Sequence, residues 1–317
     1  MTIGFIFISF KLRPMNDFLF LFPFLSLFLL FLGWPVLYSF YLSFYETTLY
    51  TDWYNVFSDM RYVGLKNYEQ LLQDPQFYWS LFLTLYYTLL TVPTQIFISL
   101  GLAILLRPNF RGKIFFRTAF FLPHILDTLI VGSIWLYLLA PQGWIAQSLA
   151  PFLEKESLLN TGLLNHSWTV LPTIAFVMAL KVSGFGMILF LVVLQRIPQE
   201  YYESAKLDGA SSWGQFRYIT FPFLKPIIFF LAMTGTLMSI NAFTEIYAMT
   251  NATGGPALQI AGQTVTSAKI SGYYLFQQFE DGKYGYAAAL SYLLFLLAMI
   301  LSWGYARLLK ISKNGTI

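Results

Sequence analysis

Long apolar runs separated by short polar stretches dominate the chain. Six of them, roughly 18–44, 79–106, 115–140, 168–194, 223–250 and 284–309, are long enough to cross a hydrocarbon core about 30 Å thick, which takes about 20 helical residues. The weak period-two alternation of an outer-membrane barrel is absent. Without water, backbone N–H and C=O groups must pair within the segment, which leaves helices. The pattern therefore predicts an all-α fold, a polytopic bundle of six membrane helices filling residues 18–309 as one domain. Residues 1–17 and 310–317 flank it, and Met15 offers an alternative start. The first run is too long for a cleaved signal peptide and lacks a convincing small-residue cleavage site, so it reads as a retained anchor.

One polar interruption is better organised than the rest. Residues 195–222 read QRIPQEYYESAKLDGASSWGQFRYITFP. Pro198 suits the first turn of a helix, where its missing N–H costs nothing. A helix over 199–207 follows, with Glu200 and Glu203 placed favourably for the macrodipole. Glu203 is spaced to pair with Lys206 or to pack beside Leu207. Gly209 is a natural left-handed terminator, and Ser212 with Gln215 has the spacing of a capping box. The stretch predicts a helix–turn–helix elbow at the membrane surface, more structure than a connector needs.

Charge orients the bundle. Only 11% of the 317 residues are charged while 57% are hydrophobic, and the formal net charge is +4. With six spans both termini share a side, and thirteen of the 19 Lys and Arg residues fall on that side, the elbow's. The positive-inside bias thus places the termini and the elbow in the cytoplasm. The basic cluster Arg107 to Arg117 fits anionic lipid headgroups and calls for no nucleic acid. The chain has no cysteine, which excludes disulfides, thiolate metal sites and cysteine nucleophiles. His124 and His166 read as loop or interfacial residues. No acid pair or nucleophile–histidine pair has the spacing of an enzyme site. No phosphate loop is present either: Gly112-Lys113 and Gly282-Lys283 lack the upstream glycine and the following hydroxyl. The chain is predicted to bind no cofactor and to hydrolyse no ATP.

Glu203-Ser204-Ala205, three residues, Gly209, nine residues and Ile219-Thr220-Phe221-Pro222 resemble the Glu-Ala-Ala loop of the membrane permeases of binding-protein-dependent ABC importers. Ser204 and Phe221 depart from that pattern; the spacing matches throughout. Asp208-Gly209-Ala210 and Leu194 to Pro198 resemble the carbohydrate-uptake branch. So do Tyr62 to Tyr68, Thr250 with Gly254-Gly255-Pro256, and Tyr284 to Ala289. The resemblance implies a multi-pass protein of the prokaryotic plasma (inner) membrane. It also implies a second homologous permease, two cytoplasmic ABC ATPase subunits carrying ATP and Mg, and an extracytoplasmic solute-binding protein. Glu203, Ser204, Ala205, Asp208, Gly209, Ala210, Ile219 and Pro222 would couple to the ATPase, and spans four and five would carry its motion to a gate.

Polar residues at membrane depth mark the candidate pathway. Asp127, Lys181 and Glu245 lie within spans three, four and five, and such groups usually face the bundle interior or a wet cavity. Lys181, with Asn241 and Glu245 a helical turn apart, would line a path for a hydroxyl-rich solute: a sugar, oligosaccharide, polyol, glycosyl-polyol or glycerol phosphate. The competing reading is a structural Asp127–Lys181 ion pair, with Glu245 merely wetted at the interface. The family's use of spans four and five adds Ser183 and Tyr247. Gly184 and Gly186 read as helix-packing glycines. Tyr247, Tyr273 and Tyr274 fit either sugar stacking or, more simply, the interfacial aromatic belt. A rival function, an autonomous ion-coupled transporter using Asp127 and Glu245, explains the charges but not the motif spacing.

Overall fold

The computed structural model describes residues 14–47, 60–149, 162–260 and 262–314. Helix α1 (Pro14–Phe28) passes through a π turn (Leu29–Gly33) into α2 (Trp34–Leu42). The most apolar stretch of this first span is unburied within the chain. A helix apolar all round and unpacked on its own chain faces lipid or another subunit. The short hairpin β1 (Tyr45–Glu46) and β2 (Arg61–Tyr62) and the amphipathic α3 (Lys66–Gln73) lead to α4 (Pro75–Leu105). Pro75 occupies the first turn and the Asp74 carboxylate accepts from the Gln76 N–H at 2.9 Å, so the second span begins ahead of its apolar run.

The third span is not one helix. Helices α5 (Lys113–Ile125) and α6 (Thr128–Leu139) meet at 103°. Pro123 lies in the last turn of the first and removes one of its backbone donors. Leu126 and Asp127 are extended, and the Asp127 carboxylate caps the second helix by accepting from Leu129 N–H at 2.8 Å. Beyond α7 (Trp144–Leu149), the fourth span is the unbroken α8 (Val170–Arg196).

The elbow follows as α9 (Gln199–Leu207), α10 (Ser212–Gln215) and a second π turn (Phe216–Thr220) running into α11 (Phe221–Ile240). The fifth span is also broken. After α11, Asn241 leaves helical geometry and the chain resumes as α12 (Thr244–Met249). The reading of Asn241 and Glu245 as one helical turn apart is corrected accordingly. A hairpin of β3 (Ala257–Ile260) and β4 (Gln263–Thr266), helix α13 (Ser271–Glu280) and the last span, α14 (Tyr284–Asn314), complete the order.

The core is divided along the membrane normal. At the elbow end Ala103, Leu106, Met187, Phe190, Leu194 and Leu224 form one buried cluster. At the far end Tyr87, Leu171, Ile174, Ile246, Met249 and Ile270 form another. Helices α4 and α8 make the principal pairing, and two glycines permit the approaches around it. A Cβ on Gly186 would lie 2.4 Å from Ser99 Oγ on α4, and one on Gly184 would lie 2.0 Å from the Phe120 carbonyl on α5. Small residues allow such close helix contact in a bilayer. The outer half-helices α6 and α12 pack similarly, Gly132 against Ala248.

Candidate functional site

A cavity of about 340 Å³ lies where spans three and five break. Its polar wall comprises Lys181 from α8, Asn241 and Glu245 from the break in span five, Thr128 at the start of α6, and Tyr87 and Gln95 from α4. The Lys181 ammonium donates to Thr128 Oγ1 at 2.9 Å, and the Tyr87 hydroxyl donates to Glu245 Oε1 at 3.1 Å. Each break therefore presents a side chain tied to an unbroken helix. Asn241 donates to the Leu237 carbonyl at 3.0 Å, which closes the end of α11. His124, also in the wall, stacks on Phe185 with ring centroids 5.0 Å apart. Its Nδ1 is buried without a hydrogen-bond partner among the described residues. It lies in the last turn of α5 and not in a loop.

Other candidates fall elsewhere. Asp127 is exposed and occupied as a helix cap, and it makes no ion pair with Lys181: among the described residues the salt bridge present is Lys66–Glu46, at 3.7 Å. Ser183 is 3% exposed and sits in the α4–α8 contact, its carbonyl accepting from Ser99 Oγ at 2.9 Å. Tyr247 packs in an aromatic group with Phe243 and Phe276. Tyr273 and Tyr274 are not belt residues. Both are buried; Tyr273 donates to the Ala252 carbonyl at 2.5 Å and Tyr274 to the Asp74 carboxylate. Burial and that carboxylate hold the Tyr274 hydroxyl well above the ordinary tyrosine pKa. Tyr87, Gln95 and Thr128 escaped the sequence reading. The first two carried a signal: Tyr87, Thr91 and Gln95 recur every fourth residue along an apolar run, one helical stripe.

The elbow presents a different chemistry. Gly209 has φ +77°, and Ala210 N–H donates back to the Ala205 carbonyl at 2.9 Å, the closing bond of a Schellman turn. Ser211, one residue before the predicted position, is the cap of α10. It accepts from Gly214 N–H, while Gln215 turns to the Ala210 carbonyl at 3.1 Å instead of closing a capping box. Pro198 likewise precedes α9 rather than opening it. Glu203 does not ion-pair with Lys206, and Leu207 is not packed but 89% exposed. Glu203, Ser204, Asp208 and Gly209 are exposed too, Ala205 and Ala210 partly so, and Tyr201, Trp213 and Tyr218 add large apolar surface. Ile219 packs on the buried cluster at this end, and Pro222 lies in the first turn of α11.

An exposed, capped elbow on a bundle of membrane-length helices that holds a polar cavity fits the class of membrane permeases. The chain belongs to the binding-protein-dependent transport system inner membrane component family, whose profile matches residues 74–310. It is 33% identical to a probable ABC transporter permease protein of Pyrococcus horikoshii, covering 90% of this chain and 94% of that one. It is 31% identical to the lactose transport system permease protein LacF of Rhizobium radiobacter, over 91% of this chain and 92% of LacF. A similar 31% relates it to the arabinooligosaccharides transport system permease protein AraP of Bacillus subtilis, over 94% and 88%. The fold matches a bacterial ABC transporter involved in import of the acidic polysaccharide alginate, with a TM-score of 0.73, 20% identity and 96% of both chains covered. The chain is a permease of an ABC importer; an autonomous ion-coupled transporter accounts for none of these matches.

Proposed function

We propose that this permease carries a sugar or related hydroxyl-rich solute, forming half of the pathway with a second, homologous permease. The observation that carries the reading is the cavity, in which Lys181 and Glu245 face one space without pairing to each other. A cation and a carboxylate left apart can each hydrogen-bond a hydroxyl, donor at one side and acceptor at the other. Relatives named for lactose and arabinooligosaccharides support the class. The elbow and both termini lie in the cytoplasm on this reading, and a solute-binding protein delivers to the opposite face. ATP and Mg belong to two partner ATPases docked on α9 through the exposed surface from Glu203 to Ala210.

The breaks in spans three and five are the gate. Half-helices α6 and α12 pack together, and their first turns hold the groups bonded to Lys181 and Tyr87. Asp127 holds the bend by capping α6. Purification of the binding protein with its solute, followed by uptake into vesicles containing both permeases and the ATPase, tests the assignment. ATP-dependent uptake of that solute is the expected result. A co-purified solute without hydroxyl groups, such as a hydrophobic peptide, would overturn the substrate class.

A further inference from the structure

One side chain of the elbow turns inward. Tyr201 and Glu203 are exposed on either side of Tyr202, but Tyr202 packs on the buried cluster at the cytoplasmic end. Its hydroxyl is 2.8 Å from Thr220 Oγ1, which is 6% exposed and closes the π turn before α11. Its ring carries the Arg107 guanidinium 5.1 Å from the centroid, just past the end of α4. Arg117 of α5 donates to the Leu106 carbonyl at 2.8 Å and holds that same end in place. Tyr202 thus joins the elbow to the start of span five and to the end of span two.

Both connections lead to the cavity. At 1.5 Å per residue, α4 runs about 18 Å from Arg107 to Gln95 and about 30 Å to Tyr87. Along α11 the distance from Thr220 to Asn241 is also about 30 Å. Between α10 and α11 lies the π turn, whose i→i+5 pattern interrupts the α-helical ladder and is frequent at functional sites. A push on α9 that travelled only along the chain would pass through that turn.

We propose that Tyr202 is a positioning residue that carries the elbow's motion past the π turn, directly into spans two and five. Span two, and not only spans four and five, then moves the cavity wall. The proposal rests on the reading that α9 docks the ATPase. The Tyr202–Thr220 hydrogen bond is its mechanical element, and the stacked Arg107 extends it to α4.

The absence of cysteine gives a clean test in the assembled importer, reconstituted with cysteine-free partner subunits. A reporter thiol from Met238→Cys, on the cavity wall, is labelled with a membrane-impermeant maleimide with and without ATP and magnesium. In the reporter background ATP changes the labelling rate. Tyr202→Phe and Thr220→Val should each cut that change about two- to tenfold, the range set by one hydrogen bond. The double variant should lose no more than either single one, and Thr220→Ser should keep the response. ATPase co-purification and ATP hydrolysis should stay as in the reporter background, and Thr220→Ser should keep the melting temperature as well as the response. A merely structural role would predict that the ATP response falls only in step with stability. Single variants that respond like the reporter, or losses that add in the double variant, would overturn the proposal. An ATPase that fails to co-purify with the reporter background would instead overturn the docking reading beneath it.

Discussion

Gly209 shows how much a single residue settles. Its φ of +77° closes α9, and a Cβ there would meet nothing within the chain itself. The backbone conformation, not crowding, is what excludes other residues, at a cost of about 1–2 kcal/mol. Gly209→Ala should therefore weaken ATPase association roughly tenfold by tilting the elbow's exit, measurable by co-purification. A bulky side chain, projecting outward from the turn, should abolish association; full retention in both variants would show that the turn plays no part in docking. Lys181 is the corresponding residue in the cavity. Lys181→Met removes a charged donor and should lower uptake about tenfold or more while leaving assembly intact. Unchanged uptake would remove Lys181 from the solute's path.

At the scale of elements, the structure holds among the described residues five long apolar helices, or six with the bent pair α5 and α6 taken as one span. A helical bundle of membrane-spanning length was legible because hydrocarbon thickness imposes such runs on the sequence. The breaks in spans three and five were not. Leu126-Asp127 and Asn241 to Phe243 lie in runs apolar enough to read as continuous, and a helix end at membrane depth is tolerated only where it lines a cavity. Asp127 was visible as a buried-span charge, but its use as a cap depends on the turn it makes. Glycine packing was legible at Gly184 and Gly186, since a span interior has few other reasons for glycine. Gly184→Leu should prevent α8 from seating on α5 and lower the melting temperature in detergent; a wild-type melt would contradict that contact. The far-side resemblances acquire a structural explanation. Asn67 donates to the Ser43 and Tyr45 carbonyls at 2.9 Å, and a Cβ on Gly285 would lie 1.8 Å from the Tyr45 carbonyl. Asp74 joins α4 to α13 and α14 through Tyr274 and Tyr286, the latter at 2.7 Å. Asp74→Ala should cost at least about 2 kcal/mol of stability, read from thermal melting.

For the molecule as a whole, two features define the work: the elbow at one end of the bundle and the cavity within it. The elbow offers exposed Leu207, Trp213 and Tyr218 beside its short helices. The cavity offers Lys181 from the unbroken α8 and Glu245 from the break in span five. Between them run α4, α8 and α11, each a continuous helix from the elbow end to the cavity. The first helix of the elbow was legible because Gly209 ends it locally, though the elbow's other caps shifted by a residue; the cavity was only half legible, because its α4 wall arises from packing between helices distant in sequence. The central claim is that solute movement is driven through the elbow by a separate ATPase. Its most direct test is uptake by vesicles carrying both permeases and the binding protein, with and without the ATPase and with an uncoupler. Uptake that requires the ATPase and ATP and ignores the uncoupler is the result expected. Uptake that persists without the ATPase and collapses with the uncoupler would contradict it.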